Sequence, residues 1–359
     1  MNEIQMCTRC IMSANYPGLK FNDEGLCEFC YTDNAEKIDW DQKRNELDAR
    51  IEKIKAKATR YHAVVPWSGG KDSTYVLWVL TKIYGLKVLA VNVDNGFKSE
   101  TAYKNLSSIS KQLGIDLITL TPDWHLMRDL YAFYLKEKGE LCSVCNVMGY
   151  VIMGSFILRE VPTLGYFPLV VGGWSGMHEN VRSIFTFDFK AFRSTIEKNK
   201  TLLERFWENS LVSRDACDIL ETVGDPREIN KHGAATDDIR DAFFQLPDYL
   251  EWDVTKIKAV LKKELDWYAS DSPIAAHEDC NWHNCMKYLM LKKYGIDNDT
   301  ISFATLVRSG DLSREAALKV ARQINSDKQP DEMKSLLSTL GCSMDSINWD
   351  SQWYTGDNR

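Results

Sequence analysis

Trp67-Ser68-Gly69-Gly70-Lys71-Asp72-Ser73-Thr74 is the stretch on which the reading of this chain turns. An apolar run, Ala63-Val64-Val65-Pro66-Trp67, precedes it. A helical pattern of Val76, Leu77, Leu80 and Ile83 follows and closes at Gly85. The order predicts a strand, a glycine-rich turn and a helix. Two adjacent glycines let main-chain N–H groups approach an anion without Cβ obstruction. The helix start behind them adds partial positive charge and unpaired donors. Ser68, Ser73 and Thr74 offer hydroxyls, and Lys71 offers a mobile cation. Residues Ser68, Gly69, Gly70, Lys71, Asp72 and Ser73 therefore read as a phosphate cradle, with Lys71, Asp72 and Ser73 as candidate catalytic residues. The spacing is not G-x-x-x-x-G-K-[ST], so the usual kinase or ATPase loop does not apply. Asp72 is expected either to hold magnesium through water or to cap the helix.

Outward from the cradle, strands and helices alternate. Strands are expected at 62–67, 87–93, 116–120 and 169–171, with a helix over 99–113. Near-continuous apolar strands with helical crossovers predict a parallel sheet covered on both faces. Ligands in such sheets bind at the carboxyl ends of strands. The cradle, the turn Val93-Asp94-Asn95-Gly96 and the turn Gly172-Gly173 all fall at such ends and are expected to line one pocket. The most apolar window, Val144 to Leu158, is shorter than a membrane span and reads as a buried helix. Residues 188–250 read as a largely helical insertion. The tail is helical too: Ser313 caps one helix, and Pro330-Asp331 opens another that stops at Gly341. The expected division is 1–34, a cysteine-organised unit; 35–59, a linker helix with Leu47, Ile51, Ile54 and Ala58 on one face; 60–295, the α/β domain; and 296–359, a helical C-terminal region.

With 359 residues, 44% hydrophobic and 26% charged, the chain has the composition of an ordinary soluble protein. A net charge of −7 argues against a dedicated nucleic-acid binder, which needs a basic face. The first residues carry no basic segment followed by an apolar core, so the expectation is a cytoplasmic protein with no membrane association. Ten cysteines in such a chain point to metal ligands or catalytic thiols rather than disulfides.

The cysteines fall into two sets. Cys7-Thr8-Arg9-Cys10 and Cys27-Glu28-Phe29-Cys30 are two C-x-x-C knuckles, each giving two thiolates from one tight turn, as a tetrahedral zinc requires. The loop between them has too little apolar content to fold alone, so the metal is expected to supply much of its stability. Four thiolates leave no open coordination position. The second set is Cys142-Ser143-Val144-Cys145, just before the apolar helix, and the late Cys280 and Cys285. A thiol at a helix start has its thiolate favoured by the dipole. Three of these thiolates suit a 4Fe–4S cluster with one open iron. Zinc with His283 as fourth ligand, a redox pair at Cys142 and Cys145, and plain buried cysteines like Cys217 and Cys342 are the alternatives.

These features together resemble a known superfamily. The cradle is similar to the S-G-G-x-D-S signature of the PP-loop ATP pyrophosphatases, which split ATP into AMP and pyrophosphate. Four knuckle cysteines, S-G-G-K-D-S, V-D-N-G, C-x-x-C and a late cysteine are similar to two of its groups. One is the tRNA thiolation enzymes that carry zinc and an Fe–S cluster. The other, closer over Cys7 to about residue 320, is the N-acetyl sugar amidotransferases of bacterial surface polysaccharide (O-antigen) synthesis. The closer features are Cys7-Thr8-Arg9-Cys10-Ile11-Met12, Pro66 to Ser73, and Leu306-Val307-Arg308-Ser309-Gly310 before Ser313-Arg314-Glu315.

The resemblance implies an α/β doubly wound parallel sheet of the PP-loop (adenine nucleotide α-hydrolase-like) type, with an N-terminal zinc ribbon and a helical C-terminal region. It implies ATP and magnesium as reactants, zinc at the knuckles, and a 4Fe–4S cluster on Cys142, Cys145 and Cys280, with Cys285 as alternative third ligand. It implies that Val93, Asp94 and Gly96 contact adenosine and that Gly172 and Gly173 flank the ATP pocket. In that family the N-acetyl group of a UDP-linked uronic acid becomes an acetamidine. Ammonia comes from a separate glutaminase subunit working with a cyclase-like barrel subunit. The chain shows no glutaminase elbow of its own. His178, Glu179, Arg182 and His232 are sugar-site candidates on position alone.

Overall fold

A computed structural model describes residues 4–16, 18–32, 38–166, 168–173, 188–223, 242–268, 279–310, 312–324 and 328–350. Five strands form one sheet: β1 (Ala63–Pro66), β2 (Val88–Val93), β3 (Asp116–Leu120), β4 (Leu169–Gly172) and β5 (Phe243–Gln245). Their order is β3-β2-β1-β4-β5, and every neighbouring pair is parallel. This is the α/β doubly wound arrangement expected of the sequence. β1 lies at the centre, paired with Val88–Val91 on one side and Leu169–Val170 on the other. Its Ala63, Val64 and Val65 are buried, as a strand covered on both faces must be.

Two points differ from the sequence reading. Phe243–Gln245 form a fifth strand where a largely helical stretch is expected. Three residues are too few to show a period of two, and their strand state comes from pairing with Val170–Gly172. β3 lies at an edge and is mostly exposed, with Ile118 open to solvent, so it is not covered on both faces.

Helices fill both faces. The helix Trp40–Lys57 starts at Asp39, whose carboxylate accepts from the Gln42 N–H at 3.0 Å. It buries Leu47, Ile51 and Ile54 against the β1 and β2 layer. The helix after the cradle is α-helical over Lys71–Trp78 and widens into a π turn over Val79–Ile83. Glu100–Leu113 begins at Ser99, whose side chain accepts from the Ala102 N–H.

The apolar helix spans Cys142–Leu164, longer at both ends than the predicted window. By length and composition it is long enough to cross a membrane, yet half of its most apolar stretch is buried inside the protein. It packs on β2 and on the helices Phe189–Ile196 and Arg214–Val223. The tail helices are Asn298–Ser309, Arg314–Ile324 and Met333–Leu340. Ser313 caps the second, accepting from the Ala316 N–H, and the third stops at Gly341.

Candidate active site

The cradle leaves the carboxyl end of central β1, and Trp67 still pairs with β2 through its N–H to the Val91 carbonyl (2.9 Å). Gly69 sits at φ +88°, and a Cβ there would lie 2.7 Å from the Ala102 carbonyl oxygen. Only glycine fits that turn. The hydroxyls of Ser68 and Ser73 lie 3.3 Å apart, and the Gly70 N–H donates to Ser68 Oγ (3.2 Å). Thr74 Oγ1 donates to the Gly70 carbonyl at 2.7 Å and accepts from the Trp67 indole at 2.9 Å.

Asp72 does not cap the helix start. Its Oδ2 pairs with Lys71 Nζ at 2.9 Å, and its Oδ1 accepts from the Trp252 indole at 3.1 Å. Of the two roles expected for Asp72, helix capping is therefore not the one seen. The carboxylate anchors Lys71 at the mouth of the loop instead.

Two of the three predicted turns touch, and the third ends the strand beside them. A Cβ on Gly173 would lie 3.0 Å from the backbone of Asp72, so the Gly172-Gly173 turn lies directly against the start of the loop helix. A Cβ on Gly172 would collide with the Gln245 side chain. Beyond β2, Gly96 has φ +81° and leaves no room for a Cβ beside the Trp124 ring. Asp94 accepts from the Gly96 N–H at 3.1 Å and from the Tyr103 hydroxyl at 2.7 Å. Val93 is half-buried above them.

Several residues that sequence reading passed over hold this site. Lys98 is buried, and its ammonium donates to the Ser68 carbonyl at 3.1 Å. Burial pushes its pKa down, opposed by the charges of Asp279 and Asp94. Asn105 and Trp267 both donate to the Gly69 carbonyl, at 3.0 and 3.2 Å. Residues 279–281 run antiparallel to 97–99. The Ser99 N–H donates to the Asp279 carbonyl and the Asn281 N–H to the Phe97 carbonyl, both at 2.9 Å. The Asp279 carboxylate thereby lies beside Gly70. No local signal in the sequence marks the donors Lys98, Asn105 and Trp267, which lie 30, 36 and 198 residues from the carbonyls they reach.

That bridge also carries Cys280 toward Cys142 and Cys145, which occupy the first turn of the apolar helix. Asn95 Nδ2 donates to Cys145 Sγ at 3.4 Å, and the Tyr131 hydroxyl lies 3.2 Å from the same sulfur. Burial raises the Cys145 thiol to about 12, with the neighbouring Cys280 adding to it. Burial also raises Cys280 to about 11 and Cys142 well above the ordinary range. For the metal-free thiols, burial works against the thiolate that the helix start is expected to favour. Cys285 is fully buried, its thiol raised to about 12 by burial and then by Glu332. It belongs to the helix His283–Tyr294 and its core. His283 turns its Nε2 to Asp299 Oδ1 at 3.5 Å rather than to a sulfur.

The knuckles form a second, separate centre. Cys7, Cys10, Cys27 and Cys30 place all four sulfurs within 4.8 Å of one another, all buried. Cys7–Cys30 and Cys10–Cys27 are each 3.6 Å apart. A tetrahedral zinc with Zn–S near 2.3 Å needs sulfur–sulfur edges of about 3.8 Å, so the set fits zinc. The Met12 and Cys27 N–H groups donate to Cys10 and Cys7 sulfurs at 3.4 and 3.3 Å. A proton shared with Cys27 holds the Cys10 thiol well below its usual range.

Arg314 donates to the Cys10 and Cys7 carbonyls at 3.0 and 3.1 Å, and Arg308 lies over the Phe29 ring. Arg308 and Arg314 thus seat the knuckle unit on the tail helices. His178, Glu179, Arg182 and His232 lie outside the described residues.

The central parallel sheet and the pinned glycine loop at the carboxyl end of β1 define an α/β protein with a strand–glycine turn–helix loop at its centre. Residues 277–349 match the family model for the C-terminal domain of the WbpG-like LPS biosynthesis proteins. The chain is 28% identical over 161 residues to the uncharacterized protein MJ1599 of Methanocaldococcus jannaschii, covering 43% of this chain. It spans about half (52%) of the length of that curated relative. Among solved structures it is similar to an NH3-dependent NAD synthetase from Campylobacter jejuni, complexed with nitrate (TM-score 0.30, 15% identity, 64% of this chain, 94% of that one). It is also similar to the NMN synthetase of Francisella tularensis (TM-score 0.29, 13% identity, 66% of this chain, 99% of that one).

Proposed function

We propose that this protein is an ATP-dependent amidotransferase of bacterial surface polysaccharide synthesis, cytoplasmic, acting on a UDP-linked acetamido sugar. The observation that carries the reading is convergence. The cradle and the Gly172-Gly173 turn lie against each other at the carboxyl ends of β1 and β4, the β2 turn ends the neighbouring strand, and Asp279, in the part matching the LPS biosynthesis family model, lies beside Gly70.

An amide oxygen is a very poor leaving group. Its attack on the α-phosphorus of ATP forms an O–P bond and releases pyrophosphate. Ammonia then adds to the activated carbon, AMP leaves with the former carbonyl oxygen, and loss of a proton gives the acetamidine. The loop amides and Lys71, anchored by Asp72, stabilise charge as it builds on the departing pyrophosphate. Magnesium, bound with ATP, would neutralise phosphate charge. Ser73 and Ser68 would hold phosphate oxygens, and the Val93–Gly96 turn the adenosine.

Cys7, Cys10, Cys27 and Cys30 would hold zinc with a structural role. Cys142, Cys145 and Cys280 would hold a 4Fe–4S cluster, with the Asn95 amide as a donor to the Cys145 sulfur. A separate glutaminase subunit with a cyclase-like barrel partner would supply ammonia. With a net charge of −7, nucleic acid is not the expected substrate.

The test is purified protein with ATP, magnesium, ammonium and a UDP-diacetamido uronic acid. AMP release together with replacement of the carbonyl oxygen by NH, read by mass spectrometry, supports the reading. AMP release without that mass change, or thionucleoside formation on tRNA, overturns it. Lys71→Ala should lower AMP release by at least about a hundredfold while thermal unfolding shifts little.

A further inference from the structure

Two consecutive carbonyls of the cradle are drawn back into the core by side chains remote in sequence. Ser68 C=O accepts from Lys98 Nζ at 3.1 Å. Gly69 C=O accepts from Asn105 Nδ2 at 3.0 Å and from Trp267 Nε1 at 3.2 Å. All peptide bonds described are trans. In a planar trans peptide the N–H of the next residue points opposite to the C=O. Fixing the Ser68 carbonyl therefore turns the Gly69 N–H away from the buried donors. Fixing the Gly69 carbonyl does the same for the Gly70 N–H. That second amide reaches Ser68 Oγ, the side of the loop on which Ser73 Oγ also lies.

The donors are themselves held. Asn105 is buried and fastened to Tyr268 through both ends of its amide: Nδ2 to the Tyr268 carbonyl, and Oδ1 from the Tyr268 N–H. Trp267 is fully buried. Lys98 lies on the strand bridge to Cys280, and Asn281 Nδ2 donates to the Lys98 carbonyl at 2.9 Å. Asp94 and Asp279 supply its counter-charge.

We infer that Lys98, Asn105 and Trp267 are positioning residues that set the cradle's amides toward a diphosphate before it arrives. A ligand then meets donors already oriented, and little ordering cost falls on binding. Lys98 also ties this orientation to the C-terminal segment, since residues 279–281 hold the backbone from which it reaches. The inference rests on the loop being the diphosphate site proposed above.

The experiment measures inorganic pyrophosphate binding by calorimetry in the full-length chain. The variants are Lys98→Met, which keeps the stem but removes the donor, Lys98→Arg, which restores one, and Trp267→Phe. Ligand-free thermal unfolding is followed in parallel. Lys98→Met is expected to weaken pyrophosphate about tenfold, the size of one lost charged hydrogen bond, and Lys98→Arg to recover most of it. Should Lys98→Met not fold, Trp267→Phe is expected to show a loss of about threefold to tenfold by the same logic. Wild-type affinity in folded Lys98→Met, or Lys98→Arg as weak as Lys98→Met, overturns the inference. Absence of pyrophosphate and ATP binding in the wild-type protein overturns the diphosphate reading of the loop instead.

Discussion

The four cysteines near the amino end and the three beside the β2 turn are held in opposite ways. The knuckle set is compact, with paired sulfurs 3.6 Å apart and main-chain N–H groups already on two of them. It is closed to substrate and rests on the tail helices through Arg308 and Arg314. The second set joins two cysteines of one helix turn to a third brought in by a strand bridge, next to the loop that would hold ATP. Among the described residues only the knuckle set gathers its sulfurs closely enough to hold one metal ion. Spacing in the chain distinguishes them only in part: two tight turns bring four sulfurs together locally, whereas the second set has one tight turn and needs the strand bridge to bring in Cys280.

The sharpest way to break this contrast is Cys27→Ser. Zinc content by elemental analysis should fall well below one per chain, and the thermal midpoint should drop by on the order of 10 °C, because closed zinc shells contribute folding free energy directly. An unchanged midpoint would make the two sets alike. Next, Cys145→Ser should abolish visible absorption after anaerobic iron and sulfide reconstitution, while Cys285→Ser should leave it. The reverse result would move the third ligand from Cys280 toward the helix His283–Tyr294.

A smaller effect concerns the helices between the two centres. Burial alone would raise Asp299, but His283 and Lys287 hold it at about 2. An unfolded aspartate titrates near about 4. The carboxylate therefore lends stability that is whole above about pH 4 and is lost as pH falls toward 2, roughly 2 kcal/mol in all. Acid unfolding followed by circular dichroism should be steeper between pH 4 and 2 in wild type than in Asp299→Asn. Smallest, Arg314→Met should cost about 1 kcal/mol, from lost bonds to two carbonyls. It should speed zinc release to a chelator without altering visible absorption of the reconstituted protein.

Much of the fold is legible along the chain. Buried β1 and β2 read as apolar runs, the cradle reads as Ser68 to Ser73, and Ser313 reads as a helix cap, which its local hydrogen bond to the Ala316 N–H matches. β5 is not legible, since Phe243–Gln245 become a strand only by lying beside β4. The thiolate preference expected at Cys142 and Cys145 is opposed for a related reason. The helix dipole is a local property, whereas burial is made by the surrounding core; the Tyr131 hydroxyl on Cys145 works the other way and lowers that thiol.

Short-range order, then, established the strand–glycine turn–helix unit and the two C-x-x-C knuckles, because each depends on neighbours a few bonds away. Packing alone chose Lys98, Asn105, Trp252 and Trp267 as the donors around the cradle, and Asp279 as its neighbour. Their separations in the chain reach 198 residues, and no periodicity links a buried carbonyl to a donor that far off. Such a group takes whichever partner the assembled core places against it, since leaving it unpaired costs more than any local preference supplies.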